Sequence, residues 1–150
     1  MSAALRASAL SLTPEQVGFV PAASGPNIFG VLMETGYEKA VSTLACFCDG
    51  STSLYFSTGG GVIGCGEHES VKSAAKMFVS IANKYTVREA TSSENPLPGI
   101  GMVRFYLRTP TGRASVQVPE KDLAEKGSQL WPLFFAGHAV IAAIRKLGLM

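Results

Sequence analysis

Residues 42–48 and 54–57 are two short runs rich in apolar and β-branched side chains, joined through Asp49, Gly50 and Ser51. Asp-Gly tolerates the positive φ of a tight hairpin turn, so the pair predicts an antiparallel hairpin. A second hairpin is predicted over residues 101–118, turning at 110–112. In its first strand Val103, Phe105 and Leu107 alternate with Arg104, Tyr106 and Arg108, which gives one buried face and one wet or shared face. Two hairpins require an antiparallel sheet, and helices must then cover it.

Three segments supply those helices. Between residues 67 and 85, Val71, Ala74, Ala75, Phe78, Ile81, Ala82 and Tyr85 recur at three and four residues, with Lys72, Lys76, Asn83 and Lys84 on the other side. A closing helix over residues 129–147 has Pro132 near its start, where a missing N–H does no harm, and is apolar nearly all round. The third helix is placed over residues 28–39 with Asn27 as its cap, although Gly30 and Gly36 weaken it and leave a strand over 29–33 open. The fold class is therefore α+β, ordered helix, two strands, helix, two strands, helix. Residues 1–26 are rich in Ala, Ser and Pro and end in a linker-like stretch, so they read as a disordered tail, dispensable for folding, before a single domain at 27–150. The second strand is expected to continue through the glycines as far as Ile63.

The 150 residues suffice for a core without disulfides or metal. A net charge of +2 with scattered Lys and Arg argues against a nucleic-acid partner, and no run of about eighteen apolar residues exists to span a membrane. Three cysteines make no disulfide framework, which points to a reducing compartment and a cytoplasmic location.

The chemistry-bearing stretch is residues 56–70, with Gly59, Gly60, Gly61, Gly64, Cys65, Gly66 and His68 between a strand and a helix. Gly59, Gly61 and Gly64 have dinucleotide-fingerprint spacing, but the strand before them is half of a hairpin, and Asn83 and Lys84 stand where the ribose-binding acid belongs. A phosphate loop from Gly61 to Gly66 would need Lys and Ser or Thr next; Glu67 and His68 follow instead. Glu67 and Glu69 also occupy the helix start that would attract an anion. Cys46, Cys48, Cys65 and His68 form an acceptable zinc set by type, though Cys-x-Cys is an unusual spacing, and core packing explains the thiols as well. Cys65 with His68 could form a nucleophile and base, its thiol pKa lowered at a helix N-terminus, but no orienting acid or amide is identifiable. These residues predict a structural corner with no metal and no cofactor, and Gly60, Gly61, Cys65 and His68 remain as candidate ligand contacts.

The order of elements around residues 45–60, the helix from Glu67, the hairpin from Met102 and the closing helix resembles the profilin-like architecture, and within it the roadblock/dynein light chain family, over about residues 27–147. One departure is that the roadblock pattern has a third strand after the second hairpin, where residues 119–127 are too polar to supply one. The resemblance implies a non-enzymatic scaffold that forms homodimers and engages small GTPases or motor complexes. With no credible catalytic set, an interaction module is the leading reading, with Trp131, Phe134, Phe135 and His138 as candidate interface residues. The alternative is a ligand-binding or enzymatic domain using the corner at residues 59–68.

Overall fold

The computed structural model describes residues 2–21, 27–125 and 127–149. Its centre is a six-stranded antiparallel sheet with the spatial order β4-β3-β2-β1-β5-β6. The strands are β1 (Gly30–Gly36), β2 (Val41–Phe47), β3 (Thr52–Phe56), β4 (Gly61–Ile63), β5 (Met102–Thr109) and β6 (Gly112–Pro119). The helices are α1 (Ser2–Ser11), α2 (Glu69–Ala82), the single turn α3 (Glu120–Leu123) and α4 (Trp131–Lys146). The architecture is mixed α and β with an antiparallel sheet, as expected, and both predicted hairpins form in register: Leu44 faces Leu54 and Phe105 faces Val116.

Three expectations are corrected. The first concerns residues 28–39, where the central strand β1 replaces the helix, paired with β2 on one side and β5 on the other. All seven of its residues are buried, because both faces of the sheet are covered. A strand buried on two faces loses the alternation that identifies it, and its continuous apolar run is indistinguishable by period from a buried helix. The second concerns the strand through the glycines. It stops at Phe56, and residues 57–60 reverse the chain into β4, with the Gly59 N–H donating to the Phe56 carbonyl at 2.9 Å.

The third correction concerns the tail. Residues 2–17 form α1 and a 3-10 turn (Pro14–Val17) lying on the sheet; Thr13 caps that turn reciprocally with Gln16. Residues 22–26 of the expected tail lie outside the described residues. The result is a layered structure. On one face α2 and α4 pack over Val31, Met33, Leu44, Cys46, Leu54 and Phe105. On the other, Ala9 and Val17 join Phe29, Leu32, Ala45, Phe47 and Tyr106. The face carrying Arg104, Tyr106 and Arg108 is thus covered by the chain's own beginning. After β6 the chain makes α3 and buries Leu123, and among the described residues no further strand follows the second hairpin.

Candidate functional site

Two places bear on function, and the glycine corner is the first. Gly59, Gly60 and Gly61 have φ of 103°, 83° and 136°, values that only glycine adopts without strain. They exist to close the β3–β4 turn. From Gly64 a 3-10 turn (Cys65–Glu67) leads into α2, with His68 at the helix cap making no side-chain capping bond. The Cys65 thiol points inward, is buried, and donates to the Thr52 carbonyl at 3.3 Å. Burial pushes its pKa up, the reverse of what a helix N-terminus would do for a nucleophile. The His68 side chain is 40% exposed, with Nε2 3.9 Å from a Glu67 carboxylate oxygen. Gly60 lies in the turn, Gly61 begins β4, Cys65 is in the core and His68 at the surface, so the four do not share one environment.

The other thiols follow the same pattern. Cys46 is fully buried and its pKa is raised by desolvation, while half-buried Cys48 approaches the Val17 carbonyl at 3.8 Å. Among the described residues, no three His, Cys, Asp or Glu side chains are grouped to hold a metal ion. We expect a native-state thiol assay at pH 8 to find at most one reactive sulfur, Cys48, and three after denaturation. Rapid reaction of two or more thiols in the native protein would contradict the buried placement of Cys46 and Cys65.

The second place is the outer side of α4. This helix runs antiparallel to α2: Tyr85, just past the end of α2, donates its hydroxyl to the Gln129 carbonyl at 2.8 Å, while Ser70 at the start of α2 lines a groove with Lys146. Leu133, Ala136, Gly137, Val140 and Ile144 face the core. The opposite side presents Pro132, Phe135, Ala139 and Ala142, spaced three and four residues apart. Phe135 is 59% exposed and stacks on Trp131 with ring centroids 5.0 Å apart. Phe134 is half-buried and meets His138 edge-on at 4.5 Å. His138 Nε2 is buried with no hydrogen-bond partner among the described residues, and burial lowers the imidazole pKa, favouring the neutral ring. Phe135, His138, Ala139, Ala142 and Ala143 border the groove, which measures about 480 Å³. All four predicted interface residues therefore lie on one helix, as two i,i+4 ring pairs.

A polar cluster under α1 carries no recognisable sequence motif. Glu34, on the central strand, is 0% exposed, and Arg6 grips it with Nε–Oε2 at 2.7 Å and Nη2–Oε1 at 2.8 Å. Thr43 donates its hydroxyl to the same carboxylate at 2.6 Å. Arg6 also donates to the Asn95 carbonyl, and Tyr106 to that of Pro96. Arg108 holds the end of α1 through the Ala9 and Leu12 carbonyls, each at 2.8 Å. The available signal was one acid inside the run Val31-Leu32-Met33-Glu34-Thr35, which a buried strand accepts only with a partner.

No known protein family, characterised protein or solved structure matches this chain. Among the described residues, no helix is long and apolar enough to cross a membrane.

Proposed function

We propose that this chain is a non-enzymatic interaction module that self-associates through the outer side of α4 and then presents a composite surface to a second protein. The supporting observation is the exposed Phe135, stacked on Trp131 beside a groove bordered by alanines. A bulky ring next to a row of small residues is self-complementary. In a symmetric pair of antiparallel α4 helices crossing near Ala139, each Phe135 would lie opposite the other copy's Ala142 and Ala143.

The sheet edges are poorer docking sites. β4 has three residues, β6 ends at Pro119, and the Arg113 carbonyl of β6 already accepts the Ala90 N–H. Short edges, proline and a covering segment are how sheets avoid edge pairing. The N-terminal segment packs on the opposite face of the sheet and leaves α4 unwrapped by residues 2–17. Small GTPases or motor complexes are the partner classes that the profilin-like, roadblock-like resemblance would imply, and three free cysteines fit a cytoplasmic setting.

The test compares two charge insertions at exposed apolar positions, Phe135→Asp on α4 and Ile63→Asp on β4. The first should halve the mass measured by light scattering at micromolar concentration, and the second should leave it unchanged. Loss of assembly with Ile63→Asp and not with Phe135→Asp would move the interface to the sheet edge and refute the α4 reading.

A further inference from the structure

The N-terminal segment does not fill all the space above its sheet face. α1 is fixed over the central strands by Arg6 on Glu34 and Arg108 on the Ala9 and Leu12 carbonyls. Beside it, towards β2 and β3, run two cavities of about 240 and 180 Å³ that share Tyr55 as a common wall. Each is smaller than the ~300 Å³ usual at the low end for drug-sized ligands, which limits the occupant to a small molecule.

Tyr55 is 4% exposed, yet its hydroxyl has no hydrogen-bond partner among the described residues. Buried hydroxyls are normally paired, so an orphan one on a residue that walls both cavities points to a group that completes it. Burial, with the Glu34 carboxylate nearby, pushes the Tyr55 phenol up to about 12, so at neutral pH it is a proton donor.

The chemistry of the two linings narrows the ligand. Arg6 and Glu34 form an ion pair at 2.7 Å, which leaves no unmatched charge. Arg6, which lines the first cavity, has its charge already matched by Glu34 beneath it, so a carboxylate gains little there and an ammonium would meet the guanidinium. The second cavity is flanked by Leu5, Leu12, Ala45 and Phe47, which suit a hydrocarbon chain.

We propose that the cavities beside Tyr55 bind a small neutral aliphatic molecule carrying one hydrogen-bond-accepting oxygen, with the oxygen on Tyr55 Oη and the chain in the second cavity, between α1 and β2. The site does not depend on the assembly reading, since it lies on the face of the sheet opposite α4.

The test is an amide-detected NMR titration of the full chain with 1-octanol, with octanoate and octylammonium as charged controls. 1-Octanol should give saturable shifts in β2, β3 and α1, with affinity at least tenfold above both controls. Tyr55→Phe should weaken 1-octanol binding at least fivefold without lowering the thermal midpoint, because the hydroxyl makes no internal bond that would be lost. Ser53→Leu, at a half-exposed position lining the second cavity, should abolish binding and gives a test independent of Tyr55. Absence of saturable shifts, equal binding by Tyr55→Phe, or tighter binding of either charged control would overturn the proposal.

Discussion

Arg6→Ala should destabilise the chain by about 3 kcal/mol, the lower end of the range for breaking a buried ion pair by removing one partner. The lower end applies because the Arg6 side chain is 17% exposed, whereas that of Glu34 is 0% exposed. Without Arg6, the carboxylate on the central strand keeps, among the described residues, only the Thr43 hydroxyl as a hydrogen-bond donor, and desolvation is no longer offset by the Arg6 charge. The double variant Arg6→Met with Glu34→Leu should recover most of the loss, since an apolar pair of similar volume removes the buried charge altogether. Deleting residues 1–21 should cost more than Arg6→Ala alone, because it also uncovers Phe29, Leu32, Phe47 and Tyr106. Urea denaturation midpoints measure all three. An unchanged midpoint for Arg6→Ala would mean that α1 does not dock on Glu34 in solution.

The glycine corner should show the other large effect, and unevenly. A Cβ on Gly61 would lie 2.3 Å from the Leu54 carbonyl oxygen and 2.6 Å from Tyr55 Cα, and φ there is +136°. Backbone cannot yield as a side chain does, so Gly61→Ala combines left-handed strain with overpacking and should cost about 3 kcal/mol or more. Gly66→Ala should be comparably severe, since its Cβ would sit 2.1 Å from the Gly50 carbonyl oxygen, where the corner packs against the first hairpin turn. Gly60 has φ of +83° but open space around it, so Gly60→Ala should cost only about 1 kcal/mol. Thermal or urea denaturation ranks the three. Equal costs at Gly60 and Gly61 would contradict the tight β3–β4 reversal.

That difference shows what the sequence could express. Asp49-Gly50, the alternation from Val103 to Arg108, and the three-and-four spacing from Val71 to Ala82 are local, and the structure has hairpins and a helix there. β1 is not legible, because burial on both faces erases the period of its apolar run. Nor is the docking of α1. It depends on Arg6 meeting Glu34 across 28 residues and Arg108 reaching Ala9 across 99, polar contacts that leave no periodic trace in a segment of alanine and serine. At the candidate sites, the ring pairs of α4 could be read from i,i+4 spacing. Tyr55 could not, since in sequence it is only one residue of a short strand, and its buried, unpaired hydroxyl is a product of tertiary packing. Three consecutive glycines drew attention to a corner whose backbone they shape, while Cys65 turned into the core and His68 towards solvent.

Self-association through α4 is the central claim, and the mass of the unmodified protein tests it most directly. Light scattering at micromolar concentration, repeated across a tenfold dilution, should give at least twice the 15.8 kDa chain mass at the upper concentration. A mass of 15.8 kDa at every concentration would contradict it, leaving Phe135 as an exposed ring on a monomer.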